Sequence, residues 1–142
     1  MPKTPNIQYV AVKALIKNEK GQVLVLRQSD PTITGHGQCH PPGGIVELGE
    51  TLEECVIREV EEEIGVASKV IRLFDVGEWR AERGDTIMQF VGLFYVCTIE
   101  TEDFTIQASE ASEAIWVGPD DIDTVDIVEP SKSILKKYLS KS

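Results

Sequence analysis

The sequence predicts a single α/β sandwich domain. Three observations predict it. Short apolar runs alternate with a period of two, two further stretches repeat apolar residues at helical spacing, and glycine- or proline-bearing turns separate them. A chain of 142 residues is long enough to bury a core. With 42% hydrophobic and 27% charged residues it has the balance of a globular protein. No internal repeat, low-complexity tract or linker divides it, so residues 1–142 are expected to form one domain.

Residues 9–16 (YVAVKALI) alternate imperfectly, put Val10, Val12, Ala14 and Ile16 on one face, and read as a strand. Asn18-Glu19-Lys20-Gly21 reads as a turn into a second strand at 22–27 (QVLVLR), so a hairpin is expected. Pro31, Gly35 and Gly37 mark 28–38 as a loop, and Pro41-Pro42-Gly43-Gly44 interrupts any regular element. A helix follows over about residues 51–64. Thr51 is its N-cap, Glu54 completes a capping box, and Gly65 fits the position just past its end. Leu52, Val56, Val60 and Ile64 recur every four residues as its buried stripe. Strand-like runs at 69–76 and 87–99 come next, with a polar segment, 77–85, between them. An acidic loop (100–112), a short strand (114–117) and a helical turn (119–122) lead to an amphipathic helix at 130–139, with Ile134, Leu135 and Leu139 inward.

The formal net charge of −10 opposes binding to a nucleic-acid backbone or an anionic membrane. No nucleic-acid polymer and no membrane is expected as a partner. No apolar run reaches the roughly 20 residues of a membrane span, and the N-terminus lacks the apolar core of a secretory signal. Cys39, Cys55 and Cys97 are odd in number and widely spaced, matching neither a disulfide framework nor a zinc pattern. Reduced thiols in a cytoplasmic protein are the expectation.

Chemistry concentrates on the first helix. Glu59, Glu62 and Glu63 stand at i, i+3 and i+4, which spans roughly a third of the circumference at about 3.6 residues per turn. Three carboxylates facing one way repel each other unless cations occupy the site. Oxygen-only ligands suit hard ions, so Mg2+ is the expected cofactor, with Mn2+ as a substitute. Arg58 can pair with Glu62 four residues on, or reach back to Glu50. Gly43 and Gly44 permit a tight turn and the close approach of a carbonyl to a metal or ligand. Glu53, Glu54 and Glu61 read as a solvated face.

Residues 44–66, GIVELGETLEECVIREVEEEIGV, resemble the Nudix box, G-x5-E-x7-R-E-U-x-E-E-x-G-U with U aliphatic. Gly44, Glu50, Arg58-Glu59-Val60, Glu62-Glu63 and Gly65-Val66 fill every fixed position. Pro42-Gly43 and Glu47-Leu48-Gly49 also look like the family's surroundings, whereas His40 and Pro41 depart from its more usual Phe-Pro-Gly-Gly. The resemblance implies a Nudix-type α/β/α sandwich with a mixed sheet between helices. It implies hydrolysis of a nucleoside diphosphate linked to another group: a nucleoside triphosphate, or a compound of the ADP-ribose or nucleotide-sugar type. It further implies that Glu59, Glu62 and Glu63 ligate metal, with Glu59 a ligand or in contact with the attacking water. Arg58 would orient the glutamates, Glu50 would be structural or a further ligand, and a carbonyl near Gly43 and Gly44 would complete the metal shell. Gly65 is carried over as structural. The partner expected is a small nucleotide; a homodimer is compatible with the family.

Outside the box the assignments stay open. Many family members take a further metal ligand or a general base from a later loop. Glu110, six residues before Trp116, is preferred here over Glu113 and Glu82, although an acidic solvated loop gives the same pattern. Arg27, at the end of the second strand, is a candidate phosphate contact. Trp79 with Arg80 and Arg83 is an aromatic-plus-basic cluster that could stack a base and meet a phosphate. A Nudix-like sensor module without hydrolysis is the alternative function, but such modules often lose box glutamates and this box is intact. Isoprenoid diphosphate isomerisation lacks its cysteine context here, and messenger-RNA decapping lacks a basic surface.

Overall fold

The computed structural model describes residues 4–31, 37–106 and 111–140. Among the described residues, seven strands divide between two sheets. One has the order β4 (Gly43–Ile45), β1 (Ile7–Ile16), β6 (Thr86–Ile99), β5 (Ser68–Arg83). It is mixed, because β1 and β6 run parallel and the other pairs antiparallel. The other has the order β3 (Cys39–His40), β2 (Val23–Gln28), β7 (Ala111–Val117) and is antiparallel.

Two helices cover the sheets on opposite sides, and the period of two in β1 and β2 sorts their side chains between them. Val12, Ala14, Ile16, Leu24 and Leu26 join Val56, Val60 and Ile64 of α1 (Leu52–Ile64). Leu15, Val23 and Val25 join Ile134, Leu135 and Leu139 of α2 (Ser131–Ser140). The C-terminal part of β1 and most of β2 are therefore buried on both faces, which explains the imperfect polar alternation in the sequence. Val10, in the first half of β1, remains exposed.

The expected hairpin is corrected here. Its turn exists: the Asn18 N–H donates to the Gln22 carbonyl at 2.9 Å, and the Gly21 N–H to the Asn18 carbonyl at 3.0 Å. The strands part after one bridge, Lys17 to Val23, and enter different sheets. Strands apolar on both faces gain more from lying between helices than from pairing as a two-stranded ribbon. The polar segment 77–85 is also corrected. β5 continues through Trp79 and Ala81 to Arg83 and turns at Gly84, whose φ is +59°. It reads as polar because β5 is an edge strand with Glu78, Arg80 and Glu82 exposed. Likewise the glycine pair at 43–44 does not break the chain but forms the short edge strand β4.

Helix α1 forms as its sequence requires. Thr51 Oγ1 accepts the Glu54 N–H at 3.1 Å and Glu54 Oε1 accepts the Thr51 N–H at 2.9 Å. Gly65 ends the helix in the left-handed region at φ 72°, its N–H on the Glu61 carbonyl at 2.9 Å. β7 starts three residues before the expected 114, and the turn expected at 119–122 is a 3-10 turn at Ile122–Thr124. Among the described residues no helix is long and apolar enough to cross a membrane.

Candidate active site

The C-terminal half of α1 lies under the edge strand β4, and the two glycines decide what can reach past that edge. A Cβ on Gly44 would meet the carboxyl carbon of Glu59 at 2.4 Å. The Gly43 N–H donates to Glu63 Oε1 at 2.9 Å. Glu63 is consequently a buried carboxyl group, 3% exposed, on a helix whose other glutamates mostly face water. Glu59 is hydrogen-bonded to Glu63, and burial raises its pKa although the neighbouring Arg58 charge opposes the shift. Two carboxyl groups in hydrogen-bond contact need a shared proton or a cation between them. The donor set is all oxygen, which fits a hard divalent ion. Glu62 is half exposed and turned onto Arg58, so among the described residues no three acidic, histidine or cysteine side chains already converge at ligating distance.

Arg58 ties this array together. Its Nε donates to Glu50 Oε2 at 2.6 Å and its Nη2 to Glu50 Oε1 at 3.0 Å, a two-pronged contact. Nη1 donates to Glu59 Oε1 at 2.8 Å and Glu62 Oε2 at 3.1 Å. Both of the pairings open in the sequence are therefore made at once. The guanidinium holds the Glu50 carboxyl down to about pKa 2. Glu50 also accepts the Glu47 N–H at 3.1 Å, which pins the loop entering the helix. Arg58→Lys keeps the charge but cannot hold three carboxylates in a planar fork. It is expected to weaken metal affinity by about 10- to 100-fold, as read by isothermal titration with Mn2+. Unchanged affinity would show that the fork does not orient the glutamates.

A cavity of about 730 Å³ opens beside the carboxylates, within the size range of ligand sites. Glu59, Glu63, Gly43 and Gly44 line it, and so do Trp79 and Phe90. Trp79 is stacked on Phe90 at 5.2 Å between centroids, and its ring tip covers Gly92, where a Cβ would come within 2.2 Å. Arg80 and Arg83 line the rim, with Arg83 paired to Asp30 at 2.6 Å.

The structure does not bring every candidate together. Arg27 donates from Nε to Glu113 Oε1 at 2.6 Å and from Nη1 to the Gly37 carbonyl at 2.7 Å, and it is not among the cavity-lining residues. Glu113 is thereby engaged with Arg27, and neither it nor Glu82 lines the cavity. Glu110 and His36 lie outside the described residues. The three cysteines are buried free thiols, and burial pushes Cys55 and Cys97 up to about pKa 12, which leaves them poor nucleophiles.

Sequence reading missed Lys13 and underrated His40. Lys13 Nζ lies 5.8 Å from the Trp79 ring centroid and 3.3 Å from His40 Nδ1, and both Lys13 and His40 line the cavity. The available signal was a lysine inside an apolar strand run, a position that costs stability without a reason to be there.

Comparisons with known proteins agree with this geometry. The family model for the NUDIX domain matches residues 8–138. An NAD-capped RNA hydrolase, NudC, of Photobacterium profundum is 34% identical over 117 residues, covering 78% of this chain and 40% of that protein. An ADP-ribose pyrophosphatase of Methanocaldococcus jannaschii is 42% identical over 67 residues, covering 47% of this chain and 38% of that protein. The chain thus spans about two fifths of the length of these two relatives. The crystal structure of a MutT protein from Methanosarcina mazei superposes with a TM-score of 0.82 at 25% identity, covering 99% of this chain and 98% of that one. With the box glutamates, their arginine and the glycine edge in one arrangement, and the family model matching from β1 into α2, this chain belongs to the NUDIX domain family.

Proposed function

We propose that this chain is a metal-dependent hydrolase that cleaves a pyrophosphate bond in a nucleoside diphosphate linked to another group. The observation that carries the reading is the Glu59–Glu63 contact behind the Gly43–Gly44 edge, open to a cavity of nucleotide size. Glu59 and Glu63 would hold Mg2+ or Mn2+, with Glu62 released from Arg58 or a carbonyl of Gly43 or Gly44 as further ligand. A divalent ion there supplies charge stabilisation at phosphoryl oxygens and lowers the pKa of a bound water. The chain's own groups do the rest. Arg58 keeps Glu50, Glu59 and Glu62 in register, Trp79 offers a flat face for a base or sugar, and Arg80, exposed at the rim, meets a phosphate.

The names of the two relatives favour dinucleotide-like or ADP-ribose-type substrates; nucleoside triphosphates are the other class. A panel of nucleoside triphosphates, dinucleoside polyphosphates, ADP-ribose and nucleotide sugars, assayed with magnesium, tests this. Metal-dependent release of a nucleoside monophosphate or diphosphate is expected. Metal binding without turnover of any compound would replace hydrolysis by a ligand-sensing role. Glu110 is proposed as the general base. Glu110→Gln is expected to lower kcat by about a hundredfold or more; near-normal turnover would remove it from that role.

A further inference from the structure

Lys13 interrupts a strand that is otherwise apolar. Val12 and Ala14 on either side are fully buried, while the lysine points the other way, into the cavity. Gly43 is its partner across the β1–β4 ladder, and a Cβ on Gly43 would stand 2.9 Å from both Cα and Cδ of Lys13. The lysine stem therefore runs through space that only a glycine leaves open.

At the tip the ammonium has little to bind. His40 Nδ1 is 3.3 Å away, but it is also 2.8 Å from the Pro41 carbonyl oxygen, which can only accept. Burial, reinforced by the Lys13 charge, lowers the His40 pKa to about 3, so the ring is neutral and has one proton to place. With that proton on Nδ1, the ring donates to Pro41 and cannot also accept from Lys13. Lys13 has no ion pair among the described residues. Glu63 and Glu59 attract it only through space, against the desolvation that lowers its pKa. Trp79 contributes a ring face at 5.8 Å. An ammonium has three N–H donors, and with the His40 proton on Nδ1 they face the cavity rather than an acceptor.

We propose that Lys13 is the cavity's anion-binding residue and takes a phosphoryl oxygen of the substrate. It holds the phosphoryl group next to the one that faces Glu59 and Glu63. A diphosphate suits the spot because it presents oxygens in several directions at once. Some can meet a cation on the carboxylate wall while others accept from the lysine, and the group beyond them reaches Trp79. The inference rests on the hydrolase reading for the bond that is cut, but not for the existence of the anion site.

The test uses the full chain with magnesium and two probes, inorganic pyrophosphate and ADP, titrated calorimetrically. Lys13→Met is expected to weaken both by about ten- to a hundredfold, the size of one charged hydrogen bond. Lys13→Arg should recover part of the loss, and Mn2+ affinity should not fall in either variant. Lys13→Gln, which keeps a polar tip without the charge, is the second variant and should lose as much as Lys13→Met. A merely structural lysine would instead lower Tm and shift metal and probe binding together. Unchanged probe affinity in both uncharged variants, or wild-type protein that binds neither probe, overturns the proposal. If the substrate panel shows no turnover while pyrophosphate binding still depends on Lys13, the hydrolase reading fails and this one stands.

Discussion

Glu59→Gln and Glu63→Gln are each expected to lower turnover by about a thousandfold, equivalent to about 4 kcal/mol of transition-state stabilisation. They should also remove most of the rise in Tm that magnesium is expected to give the wild-type protein. Glu63 is buried and fixed by the Gly43 N–H, and Glu59 is largely buried and held by Arg58, so both carboxyl groups are set in place where they line the cavity. Glu62→Gln should act in the same direction but less, because Glu62 is half exposed and already shared with Arg58. The pH dependence separates the parts. The raised pKa of Glu59 means that the metal-free folded state binds its proton more readily than the unfolded chain. That contribution is complete below the ordinary carboxylate value and is lost as pH rises through the folded pKa. Metal-free protein should therefore become more stable as pH falls from neutrality toward about 4.5, the magnesium increment shrinking over the same range. Glu50 acts oppositely and lower down. Its pKa of about 2 gives stability that is present above the ordinary value and lost as pH falls toward 2. Melting curves with and without magnesium between neutrality and acid read both. Full activity in the Glu59 and Glu63 variants would remove the metal site from this account.

Gly44→Ala is expected to abolish most activity while leaving a folded protein, and Gly43→Ala to damage the fold itself. The difference lies in what each Cβ meets. At Gly44 it meets the end of the Glu59 side chain, at 2.4 to 2.5 Å, and a carboxyl group on a three-bond arm can swing away. The carboxyl then leaves both Arg58 and Glu63, so catalysis goes while the core stays. At Gly43 it meets the Val12 carbonyl oxygen at 2.0 Å and Lys13 Cα at 2.9 Å, which are backbone atoms of the adjacent strand. Relieving that clash requires β4 to move off β1, at a cost of about 1–3 kcal/mol or more. Denaturation midpoints and Mn2+ titrations on the two variants distinguish these outcomes. Equal stability loss in both would mean that β4 adjusts as a unit and the glycine pair has no divided role.

Much of the first helix was legible because its determinants are local. Thr51 and Glu54 satisfy the same orphaned N–H groups in any helix that starts there, and Gly65 supplies the left-handed residue that ends it. The registration of Gly44, Glu50, Arg58 and the paired glutamates with the Nudix pattern is likewise a property of spacing. Arg58 shows where spacing stops: both of its expected partners were right, because a guanidinium has enough donors to serve them together. The loss of the expected hairpin shows it more sharply. A turn at 18–21 depends on its own four residues, but the partner of each strand depends on where apolar area is buried, which no local stretch specifies.

By itself, then, the sequence determined the helix, its caps, the face carrying Glu59, Glu62 and Glu63, and the family to which that spacing belongs. Only the tertiary structure decided that Glu63 is buried while Glu62 is not, that Arg27 is engaged with Glu113 instead of lining the cavity, and that Lys13 and Trp79 meet in front of the carboxylates. The physical reason is the range over which each is set. Capping and helical periodicity act within one or two turns of chain. Burial, charge pairing and cavity walls arise from residues such as Lys13, Gly43, Glu63 and Trp79, which come together only when two sheets and a helix pack.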